Sequence, residues 1–217
     1  MPRMEDIESA MVIGSGGIVI AQAAEFDYSG SQALKALRED GIRTVLVNPN
    51  CATIQTSLKM ADRVYLEPLS PAVVAQIIRR EEPDGILFGF GGQTALNLAV
   101  QLDRMGILKD EGVRVLGSPI DTIRITEDRG LFKRAMERAH VPIPLSEPAY
   151  SVEEALSVAK DIGYPVIIRT AYTLGGGGSG VAYDPGQLRA IVRPALLQSL
   201  EHQVLVEQYL EHWKEIE

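Results

Sequence analysis

Apolar positions in the first half of the chain fall in short runs that alternate with longer segments of helical spacing. Residues 9–13 form an apolar, β-branched run that ends in Gly14-Ser15-Gly16-Gly17, and an amphipathic segment at 32–38 follows. This pattern predicts strand, glycine turn and helix, with Gly41 closing the helix. Further apolar runs at 44–47, 63–66, 86–90 and 113–116 read as strands. Between them, Ser70-Pro71 opens a helix with a capping hydroxyl and proline at its first position. Val73, Val74, Ile77 and Ile78 give that helix its buried stripe, and Pro83 stops it. Gly91-Gly92 opens another helix carrying Ala95, Leu96, Ala99, Val100 and Leu102. The run at 86–90 is nearly continuous, as strands buried on both faces tend to be. Strands alternating with helices predict an α/β fold with a parallel, doubly wound sheet.

The texture changes after Gly117-Ser118-Pro119, and a domain boundary is placed near residue 120, giving domains 1–120 and 121–217. Beyond it, a helix is expected over 127–139, then a stretch holding Pro142, Pro144 and Pro148, then a helix opened by the capping box Ser151-Val152-Glu153-Glu154. Residues 166–168 and 181–183 read as strands flanking Gly175-Gly176-Gly177-Gly178-Ser179-Gly180. Asp184-Pro185 starts a helix kinked or broken at Pro194, and 204–206 is a last strand.

Charge narrows the partners. The 217 residues carry 21 basic and 29 acidic side chains, for a net charge of −8, with no basic cluster. Nucleic acid and anionic membrane surfaces are therefore disfavoured, because phosphate neutralisation needs concentrated positive charge. No apolar stretch approaches the roughly 20 residues that span a bilayer, and no basic segment followed by an apolar one marks a secretory signal. Cys51 is the single cysteine, which leaves no internal disulfide framework. A cytoplasmic setting is expected.

Two glycine segments offer chemistry. Gly14-Ser15-Gly16-Gly17 is similar to a dinucleotide turn, but Val19 stands where its third glycine belongs, and Asn48-Pro49-Asn50 follows the second strand where a ribose-binding acid would sit. NAD binding is disfavoured, and a fold-building turn is the simpler reading. The loop at 175–180 has five glycines in six residues, so its backbone amides can approach an anion closely. Arg169, on the preceding strand, points a permanent charge toward the same ligand. Arg129, in the first turn of a helix, is a second candidate. His140, His202 and His212 show no metal-ligand spacing. Trp213 reads as a packing or hinge residue.

Taken together, Glu25-Phe26-Asp27-Tyr28-Ser29-Gly30, Asn48-Pro49-Asn50 with Ala52-Thr53-Ile54, Gly91-Gly92-Gln93-Thr94-Ala95-Leu96-Asn97, Glu127-Asp128-Arg129 and Trp213-Lys214-Glu215 resemble the large subunit of carbamoyl-phosphate synthase, in its first synthetase half. The resemblance implies a pre-ATP-grasp, Rossmann-like domain followed by the opening of an ATP-grasp domain. It implies ATP, with Mg or Mn, bicarbonate and ammonia as the reacting partners. Bicarbonate would be phosphorylated to carboxyphosphate and converted by ammonia to carbamate, then carbamoyl phosphate, for pyrimidine and arginine synthesis. The ammonia would come from a glutaminase small subunit or fused domain. It further implies that Arg129 and Arg169 act on the nucleotide phosphates, that Gly175 and Gly176 cover them, that the main chain at Gln208 and Leu210 reads adenine, and that Glu215 accepts from the ribose. No metal ligand is expected within the chain, since the family's Mg-binding Gln, Glu and Asn lie well beyond the adenine strand. The chain is therefore expected to be a fragment that turns over no ATP by itself. The alternatives are another ATP-grasp ligase of the biotin-carboxylase kind, or a non-catalytic nucleotide-binding or scaffold module.

Overall fold

The computed structural model describes residues 4–17, 23–172, 178–214 and 216, in two compact units, Met1–Ile123 and Arg124–Glu217. In the first, β1 (Ser9–Ile13), β2 (Arg43–Val47), β3 (Arg63–Tyr65), β4 (Gly85–Leu87) and β5 (Arg114–Leu116) are all parallel, in the order β3-β2-β1-β4-β5. Parallel neighbours need crossovers, supplied by α1 (Ala23–Glu39), a 3-10 turn (Ile54–Thr56), α2 (Pro71–Glu81), α3 (Gly92–Arg104) and α4 (Ile107–Asp110). Because the order reverses between β1 and β4, right-handed crossovers put α1 and the 3-10 turn on one face and α2 and α3 on the other. Each pair packs together. Val12 and Leu46 meet Leu34 of α1, and every residue of β1 is buried.

Two carboxylates tie the strand starts by the same device. Asp84 accepts from Ser9 N at 2.8 Å and Ser9 Oγ at 2.9 Å, and Asp62 accepts from Thr44 N at 2.8 Å and Thr44 Oγ1 at 2.9 Å.

Helix α1 begins at Ala23, earlier than the expected 32, so Gly30 lies inside it. The glycine is there for space: a Cβ on it would fall 1.8 Å from Gln55 Nε2. Strand β4 ends at Leu87, short of the expected 90, and Ser70 makes no side-chain capping bond to α2.

The second unit takes in the end of α5 (Ile120–Glu127), then α6 (Arg129–Arg138), β6 (Ser146–Ala149), α7 (Val152–Ile162), β7 (Val166–Thr170), β8 (Gly180–Ala182), α8 (Pro185–Gln198) and β9 (Val204–Gln208). One helix was expected over 127–139, but Asp128 divides the segment, capping α6 by accepting from Leu131 N at 2.7 Å. Strand β6 forms within the proline-bearing stretch, with Pro148 opposite Leu205, and α8 runs through Pro194 as one helix. The four strands form an antiparallel sheet in the order β6-β9-β7-β8. Alternation sends Val166, Ile168, Val204 and Val206 to the face covered by Ala155 and Ala159 of α7 and Leu188 and Val192 of α8. Ile167, Arg169, Leu205 and Glu207 are left on the other face.

Candidate functional site

That other face carries the charged groups. Register pairs Ile167 with Glu207 and Arg169 with Leu205, so Arg169 and Glu207 are diagonal neighbours. Arg169 Nε donates to Glu207 Oε1 at 3.0 Å. The Glu207 side chain is 14% exposed and that of Arg169 49%, so the carboxylate is sunk and the guanidinium stands open. A guanidinium has further donors in a planar fork, matched to phosphate or carboxylate.

Arg129 starts α6 beside it. Its Nη2 faces Thr170 O at 3.4 Å, while its Nε is buried with no hydrogen-bond partner among the described residues. Burial, then the neighbouring Arg169 charge, lowers its pKa from the usual arginine value. An arginine keeps its proton even so, and two adjoining guanidinium groups with one buried donor unsatisfied make a setting that favours an anion.

Two hollows meet at this pair. A cleft of about 430 Å³ is lined by Ile167, Arg169, the Gln208–Leu210 segment and Trp213, and a second of about 260 Å³ by Arg129, Phe132 and Leu205. Both share Pro144, Arg169 and Glu207. At the far end of the first, Gln208 N donates to Leu145 O at 2.8 Å, and the Gln208 residue is exposed. The structure thus brings Arg129 and Arg169 together in the lining of one hollow, and Arg169, Gln208 and Leu210 together in the lining of the other. Gly175, Gly176 and Glu215 lie outside the described residues. Gly178, within the glycine loop, has φ +73°, and a Cβ there would fall 2.8 Å from both Thr170 Oγ1 and Gln198 Oε1. Trp213 is 74% exposed along the cleft rather than packed.

Two residues escaped the sequence reading. Glu207 was signalled by the alternation of β9, as an acid on the polar face of an apolar strand. Gln203 had no signal: it ends a polar stretch, yet it is 1% exposed and bonded to Arg129, Asp128 and Tyr150. Among the described residues no group of three or more His, Cys, Asp or Glu is placed to hold a metal ion.

In the first unit the glycine turn after β1 is tightly built. A Cβ on Gly14 would fall 2.5 Å from Asn48 Cγ, and one on Gly91 2.4 Å from Gly14 O. Asp27 Oδ1 accepts from Ser15 Oγ at 3.3 Å, and the Phe26 ring underlies Gly92.

Comparison with known proteins decides the family. Residues 6–125 match the carbamoyl phosphate synthase preATP-grasp domain, and residues 128–217 match the carbamoyl-phosphate synthase L chain, ATP binding domain. The chain belongs to the carbamoyl phosphate synthase large-chain family. It is 59% identical to the carbamoyl phosphate synthase large chain of Hyperthermus butylicus over 217 residues, which is all of this chain and 20% of that protein. Over 213 residues it is 54% identical to the large chain, N-terminal section, of Methanopyrus kandleri, covering 98% of this chain and 38% of that one. It thus spans about a fifth of the length of the first curated relatives it matches. In fold it is similar to the biotin carboxylase domain of Hydrogenobacter thermophilus 2-oxoglutarate carboxylase, with a TM-score of 0.70 at 23% identity over 96% of this chain and 45% of that one. Biotin carboxylase from Campylobacter jejuni gives a TM-score of 0.66 at 21% identity, over 94% and 46%. These large-chain relatives and carboxylase folds identify the second unit as ATP-grasp in architecture. No described helix is long and apolar enough to cross a membrane.

Proposed function

We propose that the second unit builds part of an ATP site in which Arg129 and Arg169 hold the phosphates and the Gln208–Leu210 main chain reads adenine. The carrying observation is the buried Arg129 Nε, unpartnered among the described residues, beside Arg169, which lines both the 260 Å³ hollow and the 430 Å³ cleft. Gln208 N is already spent on Leu145 O, so at this residue the adenine amino group falls to the carbonyl. Main-chain reading leaves the exposed Gln208 side chain free to vary. Gly175 and Gly176 supply backbone amides to the phosphates, and Glu215 takes the ribose hydroxyls, as the family resemblance implies.

The chemistry follows from charge. Phosphoryl transfer proceeds with little covalent help from the protein, through positioning and neutralisation of phosphate charge. Arg129 and Arg169 supply fixed cations, and Glu207 holds one edge of Arg169 so that its outer N–H groups face the cleft. Mg or Mn would neutralise further charge, but the described residues offer it no cluster of ligands, so no step here is assigned to it. With 20% of the length of its relatives, the chain contributes to a reaction larger than itself. In that reaction the longer protein phosphorylates bicarbonate with ATP, and ammonia, from a glutaminase subunit or domain, displaces the phosphate of carboxyphosphate to give carbamate. A second phosphorylation gives carbamoyl phosphate. The relative in Eremothecium gossypii is an arginine-specific large chain, which favours arginine synthesis as one use of the product. The expected outcome is carbamoyl phosphate formation from ATP, bicarbonate and ammonia by the longer gene product, with loss in Arg169→Ala. Product formation unchanged by that substitution would contradict the residue assignment; no product would contradict the reaction.

A further inference from the structure

Arg129 owes its position to a residue outside the nucleotide cleft. Gln203 precedes β9, is 1% exposed, and uses both ends of its amide: Oε1 accepts from Arg129 N at 3.1 Å, while Nε2 donates to Tyr150 OH at 2.9 Å and to Asp128 Oδ2 at 3.3 Å. Its own N is held by Ser199 Oγ at 3.1 Å. Asp128 is the cap of α6 and Arg129 its first residue, so one buried amide grips both residues that set how the helix enters the sheet face. Backbone bonds place the Arg129 Cα, whereas among the described residues the guanidinium has one hydrogen bond, at 3.4 Å to Thr170 O. A long side chain with one weak tether is aimed mainly by where its helix begins. A buried amide with three satisfied partners gives that start one position.

We infer that Gln203 is a positioning residue for phosphate recognition, acting through Arg129. The inference rests on the reading of Arg129 as a phosphate ligand. The methylene stem of Gln203 fills space that Met would also fill, so Gln203→Met deletes the grip while keeping volume. Gln203→Glu keeps the acceptor for Arg129 N but replaces the donor to Asp128 with an oxygen that faces its carboxylate, so it keeps one tether and breaks another.

Trp213 is the one tryptophan of the chain and lines the cleft, so its fluorescence reports ATP binding to the 217-residue protein. Loss of one to two net hydrogen bonds predicts that Gln203→Met weakens ATP by about 5- to 30-fold, and Gln203→Glu is expected to weaken it as well, because its carboxylate repels that of Asp128. In the Arg129→Ala background the Gln203→Met effect is expected to vanish, because its route is gone; a general loosening of the unit would weaken both backgrounds equally. Additive losses, or no loss in Gln203→Met while Arg129→Ala weakens binding, would overturn the inference. If Arg129→Ala itself leaves ATP binding unchanged, or the parent chain does not bind ATP, the nucleotide reading fails and takes this inference with it.

Discussion

At the scale of single residues, Arg169 faces the proposed ligand cleft while Asp84 ties strand starts together. Arg169 presents its outer N–H groups to the cleft, which the exposed Lys214 also lines, whereas Lys160 is exposed on α7, the helix that covers the opposite face of the sheet. A charge-assisted hydrogen bond to phosphate contributes about 1.5 to 3 kcal/mol, or roughly 10- to 150-fold in affinity at about 1.4 kcal/mol per decade. Titration calorimetry with ATP is expected to show a loss of that size in Arg169→Ala and almost none in Lys160→Ala; equal losses would count against the site. Asp84 serves the fold instead. Hydrogen bonding from Glu8 N, then from Ser9, holds its carboxyl below the ordinary 3.8, although partial burial opposes this. Its contribution is therefore complete above about that unfolded value and is lost as pH falls through the lower native one. Asp84→Ala should reduce the stability of the chain by about 1–3 kcal/mol at neutral pH. The deficit should shrink below the ordinary carboxylate range, where the parent loses the same charge. Urea midpoints at the two pH values measure this, and a deficit independent of pH would contradict it.

At the scale of elements, local signals were readable where they acted alone. The capping sequence at Ser151 forms, with Ser151 Oγ accepting from Glu154 N at 3.1 Å, but Glu154 Oε2 reaches Tyr150 N at 2.8 Å, one residue before the usual partner. The parallel order of the first sheet was legible from alternating apolar runs and glycine turns. What escaped depends on distant neighbours. Gly30 reads as a helix breaker, and only the Gln55 amide beneath explains it. Strand β6 contains Pro148 and is recognisable only from its partner β9. Of the proposed site, Arg169 and Arg129 were visible from charge and position; the Gln208–Leu210 segment took force from the family resemblance, Gly175 and Gly176 lie outside the described residues, and Gln203 was invisible because burial of a polar residue leaves no pattern. The end of α6 offers a separate test. Val141 N bonds Met136 O at 3.0 Å across His140, whose φ of +56° is a conformation glycine adopts without strain. His140 is exposed, so His140→Gly is expected to stabilise the chain by about 0.5–1 kcal/mol; a lower thermal midpoint would show that the histidine makes a contribution beyond its backbone.

At the scale of the molecule, the chain offers two glycine-bearing places for a nucleotide, one in each unit. Residues 14–17 follow β1 at the point where strand order reverses, the customary ligand position in a doubly wound sheet. Yet Asn48 and Gly91 crowd that turn, and the glycines there permit close packing. The second unit instead joins a cleft, two guanidinium groups and an unpartnered buried donor on one sheet face. This favours the proposal that adenine binds in the second unit. Photolabelling of the 217-residue chain with an adenine-ring azido analogue of ATP, followed by peptide mapping, tests this most directly. Label confined to residues 204–214 and removed by excess ATP is the expected result; ATP-protected label on residues 14–17, with none on 204–214, would contradict the account.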